Sequence, residues 1–192
     1  MHPIAPCRTR PAARGYTFIE LMSGIAIAGT LAAIAIPSYT GILQNARRDL
    51  VVNDLVTSLL TARSESAARG ATVAICPMAP GKPGACGAST DWSGGWMVFP
   101  DADEDGVPGV ERVIAQYRRD NATVHVTAGL AHAAGRPIGV AFARPVLHAN
   151  TNGTFTVCDR RGAKQARAVI VATDGRTRVS DRKADGTALT CP

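Results

Sequence analysis

Between Tyr16 and Ile36 the chain carries one charged residue, Glu20, in an otherwise apolar, small or hydroxyl-bearing run. A helix over this span is roughly 30 Å long at about 1.5 Å per residue, which matches the hydrocarbon thickness of a bilayer. A core helix of a soluble protein is the competing reading, but such helices are amphipathic and this one is apolar all round. The preceding segment, MHPIAPCRTRPAARG, holds Arg8, Arg10 and Arg14 and no acid, so the positive-inside tendency keeps that end cytoplasmic and sends the remainder across. Processing as an ordinary signal peptide would need a small-residue site after the apolar run. AIAIPSYTG offers a loose match, so that alternative stays open at this point.

A carboxylate at membrane depth costs a few kcal/mol and calls for a partner. The other account of Glu20 is local: an acid in the first turn of a helix faces the positive end of its dipole. Beyond Pro37 the pattern changes to a 3.6-residue period, with Val52, Leu55, Val56, Leu59 and Ala62 on one face and Asn53, Thr57, Thr61 and Ser64 largely off it. That amphipathic stretch is expected to pack on a soluble domain and to stop near Gly70. From Ala71 onward, short runs rich in Val, Ile, Thr and aromatics alternate with Gly, Pro, Asp and Asn, the pattern of antiparallel strands. Strands are expected to start at Thr72, Gly95, Arg112, Thr123, Ile138, Gly153, Arg167 and Arg176, which makes the fold α+β. With 192 residues and 46% hydrophobic content, the chain can support one sizeable core.

The residues Gly15 to Met22, G-YTFIELM directly after a basic leader, resemble the type IV prepilin signal. That resemblance implies cleavage by a prepilin peptidase between Gly15 and Tyr16 and N-methylation of Tyr16. It also implies pairing of Glu20 with the freed amine of a neighbouring pilin subunit during assembly, and Pro37 fits the kinked helix of such proteins. ARSESAARG from Ala62, the strand ending at Cys76-Pro77, DWSGGWMVFPDADEDG from Asp91 and DGRTRV from Asp174 further resemble the GspH/FimT group of minor pilins and pseudopilins. The organisation so implied is a leader over 1–15, a transmembrane helix half over 16–36, an amphipathic half over 37–70 and a periplasmic β-rich domain over 71–192. The protein would sit in the bacterial inner membrane as a single-pass subunit, and in a pilus or pseudopilus after assembly.

Five cysteines are present, and Cys7 falls in the leader. Cys76, Cys86, Cys158 and Cys191 form an even set for an oxidising compartment, which suggests disulfides. Three pairings are open. Cys76 with Cys86 and Cys158 with Cys191 is preferred, because the first closes a Pro- and Gly-rich loop and the second ties down the C-terminus. A zinc site is the rival, but no C-x-x-C pair is present.

The formal charge of +6 is unevenly spread. From Cys158 to the C-terminus, Arg160, Arg161, Lys164, Arg167, Arg176, Arg178, Arg182 and Lys183 stand against Asp159, Asp174, Asp181 and Asp185. A local basic surface favours polyanions, and with DNA the main gain is counterion release. On a strand, Arg176 and Arg178 would point to one side about 6.6 Å apart and could hold neighbouring phosphates. A solvated strand face is the plain alternative. The tetrad Gly175-Arg176-Thr177-Arg178 resembles the GRxR motif of FimT-type minor pilins, which bind DNA during natural transformation. This implies capture of double-stranded DNA by Arg176 and Arg178, with Arg160, Arg161, Lys164, Arg182 and Lys183 as helpers. The alternative function is a minor pilin or secretion pseudopilin that primes or caps the filament without touching DNA.

Other patterns carry less. Asp101, Asp103, Asp105 and Gly106 mimic the start of an EF-hand loop, but its twelfth position is Arg112 in place of a bidentate Glu, with Glu111 adjacent, so a plain acidic turn between strands is favoured over a calcium site, which stays the alternative. Trp92 and Trp96 read as core packing. His125, His132 and His148 lack ligand spacing, and no nucleophile–base set is recognisable. The reading is therefore of a binding protein without cofactor or catalysis.

Overall fold

The computed structural model describes residues 15–82, 84–109, 113–119, 123–130, 139–143, 148–149 and 152–192. The chain divides into two units, residues 1–43 and 44–192. One helix, α1 (Phe18–Arg69), contributes to both. Within the first unit every described side chain from residue 15 to 36 is exposed, and by length and composition this part of α1 suffices to cross a membrane. The helix continues through position 37 without interruption.

In the second unit α1 is amphipathic as its period predicts. Leu55, Leu59 and Ala62 are fully buried and Val56 packs against the same core, whereas Asn53, Thr57 and Ser64 are exposed. The helix ends at Gly70, whose φ of 67° is the left-handed conformation that closes a helix without a Cβ penalty. Its N–H donates to the Ser66 carbonyl.

Among the described residues nine strands follow: β1 (Val73–Pro77), β2 (Gly95–Pro100), β3 (Ala115–Arg118), β4 (Val124–Leu130), β5 (Val140–Ala143), β6 (His148–Ala149), β7 (Gly153–Asp159), β8 (Arg167–Val171) and β9 (Thr177–Ser180). A single 3₁₀ turn, Ala163–Gln165, lies between β7 and β8. They form two antiparallel sheets, ordered β3-β2-β1-β5-β6 and β4-β7-β8-β9. The expected strands appear with ends shifted by a few residues, and β6 was not expected. The expected starts at Arg112 and Ile138 lie outside the described residues.

One core fills the space between α1 and the inner faces of both sheets, with Trp92, Trp96, Phe142 and Phe155 at its centre. The two tryptophans are thus core residues, with Trp92 edge-on to Phe155 at 4.8 Å. Each sheet also buries part of its outer face. Ala74, Met97, Phe99 and Ala141 form one outer cluster with Cys76 and Cys86, and Ala168, Ile170 and Leu189 form the other with Cys158 and Cys191. The disulfides Cys76–Cys86 and Cys158–Cys191 therefore each pin a covering segment over one sheet. Each tie shortens the loop that must be closed in the unfolded chain and so favours the covered arrangement.

Candidate nucleic-acid interface

The β8–β9 hairpin places the arginine tetrad. Its three-residue loop, Thr173-Asp174-Gly175, is closed by the Gly175 N–H to the Ala172 carbonyl at 2.9 Å and the Ala172 N–H to the Arg176 carbonyl at 3.0 Å. Such loops end in a left-handed residue, and Gly175 supplies it with φ 75°. Asp174 Oδ1 accepts from the Arg176 backbone N–H at 3.0 Å, and Asp174 Oδ2 accepts from Arg176 Nε at 2.6 Å. These bonds and the Arg176 charge hold the Asp174 carboxyl below its ordinary value, with Arg63 adding a smaller effect.

Because β9 is the sheet edge, Arg176 and Arg178 both stand at a border of the second unit, and both are exposed. Arg178 lies opposite Ile170 in register and Ser180 opposite Ala168, so Arg178 and Ser180 share the outer face with the cluster that Leu189 covers. Arg176 directly precedes the strand, one register step beyond Thr177–Val171. After β9 a second hairpin repeats the same chemistry. Asp185 Oδ1 accepts from the Thr187 N–H and hydroxyl, Gly186 has φ 83°, and Arg182 Nη1 donates to the Gly186 carbonyl at 3.1 Å.

The remaining cations do not gather at the tetrad. Arg160, Arg161 and Lys164 occupy the β7–β8 connection, at the opposite end of β8 from Arg176. Arg182 and Lys183 also follow the far end of β9. Arg161 is further committed: it grips the Asp159 carboxylate with Nε and Nη2, and Nη2 donates to Asn45 Oδ1 on α1 at 2.8 Å. The pair holds the Asp159 carboxyl below and the Arg161 guanidinium above their ordinary values. Arg48, almost fully buried, donates to the Gln165 carbonyl at 2.6 Å and fastens the same connection to the helix.

One cation that the sequence pattern did not single out lies beside the tetrad. Arg63 of α1 directs Nη2 to the Asp174 carbonyl at 3.4 Å. It is separated from the hairpin by more than a hundred residues, so only the tertiary fold brings it there.

At the other end of the chain, Thr17 and Glu20 form a capping box. Glu20 Oε2 accepts from the Thr17 N–H and hydroxyl, each at 2.9 Å, and the Glu20 N–H donates back to the Thr17 hydroxyl at 3.3 Å. The T-x-x-E spacing is the signal that sequence reading could have used. Gly15 and Tyr16 precede it outside the helix. Residues 1–14 and His132 lie outside the described residues.

Asp101, Asp103 and Asp105 bring their carboxylate oxygens within 4.8 Å of one another. Asp101 is buried, and Oδ1 accepts from the Gly106 N–H at 3.1 Å. Burial pushes its carboxyl up, against that hydrogen bond, and the neighbouring acids push it further in the same direction. Glu111 and Arg112, at the eleventh and twelfth positions of the loop, lie outside the described residues.

Residues 51–175 match the family described as "Type II transport protein GspH". No curated protein matches the chain by sequence. Two crystal forms of the type IV minor pilin FimU of Pseudomonas aeruginosa are similar in structure. One is 15% identical, with a TM-score of 0.50 over 70% of this chain and 89% of that one. The other is 18% identical, with a TM-score of 0.45 over 67% and 88%. At this identity the first likeness speaks to fold, a long N-terminal helix packed on antiparallel sheets.

Proposed function

The chain belongs to the GspH family of type II transport proteins, and from that premise we propose that it is a minor pilin that binds double-stranded DNA, without sequence preference, for uptake in natural transformation. The observation that carries the reading is the exposed pair Arg176 and Arg178 at an edge-strand hairpin. An edge leaves room for a rod-shaped partner, and fork-shaped guanidinium groups suit phosphate oxygens. Binding would follow counterion release and weaken steeply with salt. The sparsity of aromatics near the hairpin favours backbone contact over base stacking.

The apolar helix and the family fit a single-pass inner-membrane protein. In our reading, prepilin peptidase cuts between Gly15 and Tyr16, the β-rich unit faces the periplasm, and Glu20 is neutralised by a neighbouring subunit's amine on assembly. The capping box supports a further task for Glu20, since its carboxylate already orders the first helical turn. Arg160 and Lys164 in the β7–β8 connection, and Arg182 and Lys183 beyond β9, are in our reading helpers that meet further phosphates of the same duplex, whereas Arg161 serves the fold.

A second reading is a subunit that primes or caps a pilus or secretion pseudopilus and binds no DNA. The internal pairing of Arg176 with Asp174 favours it, because that guanidinium is already partnered. The full chain in neutral detergent, titrated into a fluorescent duplex, separates the two. Salt-sensitive binding supports DNA capture, and no binding at low salt supports the assembly role.

A further inference from the structure

The β8–β9 loop is approached from two elements. Arg176 reaches the Asp174 carboxylate from the strand side, and Arg63 reaches the Asp174 carbonyl from α1. The two bonds differ in kind. That of Arg176 is short and charge-assisted, whereas that of Arg63 is long, at 3.4 Å to a neutral carbonyl oxygen, so the Arg63 guanidinium is held near the loop with most of its donors uncommitted there. Arg63 is half-buried, and its neighbour Ala62 is sealed in the core, which fixes where its stem emerges from the helix. One guanidinium thus holds the Asp174 carboxylate while a second stands at the backbone carbonyl of the same residue, so two cationic forks lie beside one short loop. A phosphate diester presents similar oxygens to the same donors.

We infer that Arg63 is a third phosphate-binding residue of the β8–β9 site and that Asp174 is the internal anion with which DNA competes. The inference rests on the DNA-binding reading and extends it to a residue outside the C-terminal region. On binding, Arg176 exchanges a carboxylate oxygen for a phosphate oxygen, and Arg63 leaves its long carbonyl contact for another. The Asp174–Arg176 pair is exposed on both sides, 46% and 82%, so water screens it and its opening is easy.

The test uses the full chain in neutral detergent and a fluorescent 20-base-pair duplex titrated at several salt concentrations. Arg63→Gln removes the charge and keeps a polar side chain on much of the same stem, which limits disturbance of the fold. It is expected to weaken binding several-fold and to flatten the slope of log affinity against log salt by about 0.9, the loss of one phosphate contact. Asp174→Asn is expected to tighten binding several-fold. An unchanged slope in Arg63→Gln, or unchanged or weaker binding in Asp174→Asn, overturns the inference while leaving the DNA reading intact. Failure of the unmodified chain to bind at low salt overturns both.

Discussion

The indole N–H of Trp96 donates to the Ser58 hydroxyl at 2.7 Å, with both residues fully buried between α1 and β2. The same hydroxyl donates to the Asp54 carbonyl at 2.6 Å, so it is used as donor and acceptor at once. This bond ties the helix to the first sheet at a defined register. Ser58→Ala leaves the indole N–H buried without a partner and is expected to cost about 1–3 kcal/mol. Urea unfolding followed by tryptophan fluorescence measures it, and a neutral substitution would contradict the assignment.

The disulfide Cys158–Cys191 links residues 33 apart and holds Leu189 over Ala168 and Ile170. Loop-closure entropy puts its contribution at about 3–4 kcal/mol. Cys191→Ala should therefore lower the Tm of the β-rich unit by roughly 10 °C. A drop of only a degree or two would mean that the C-terminal segment holds its place by packing alone.

Asp159 and Arg161 make acid sensitivity local. The Asp159 carboxyl is held low, first by the Arg161 side chain. A group lowered on folding adds stability that is present in full above its unfolded value, near pH 4, and is lost as pH falls through the lowered folded value. Arg161→Ala should reduce stability at pH 7 and make the loss of stability below about pH 4 shallower. Parallel stability curves for the variant and the parent protein would contradict this.

Asp101 has the opposite sign. Its carboxyl is raised chiefly by burial, so its protonated form is favoured on folding, and stability declines as pH rises from about 4 through the raised folded value. Asp101→Asn preserves an oxygen for the Gly106 N–H and removes the charge. Its Tm should exceed that of the parent at pH 7 and match it near pH 4. A lower Tm at pH 7 would show that the ionised carboxylate is needed in the loop.

What the sequence makes legible here is what depends on near neighbours. The face of α1 with Leu55, Leu59 and Ala62 follows from the helical period, and the β8–β9 hairpin from Asp174-Gly175. The capping box of Thr17 and Glu20 is equally local and readable from its spacing, yet a search for distant partners of Glu20 passes over it. The order β4-β7-β8-β9 is different, because it depends on pairing across a long connection. The same non-local placement brings Arg63 to Asp174, and it separates Arg160 and Lys164 from Arg176 although all belong to one basic stretch. A count of charge along the chain records the stretch as one cluster, whereas the antiparallel path of β8 divides it into two ends.

A DNA site at the β8–β9 hairpin is tested most directly by duplex affinity measured against salt for the unmodified chain and for Arg176→Ala with Arg178→Ala, both as full chains in the same neutral detergent. Arg8, Arg10 and Arg14 are common to both and cancel in the comparison. Loss of two phosphate contacts should flatten the salt slope by about 1.8 and weaken low-salt binding at least tenfold, with unchanged Tm. Equal affinity and equal slope in the two proteins would contradict a DNA site at the β8–β9 hairpin.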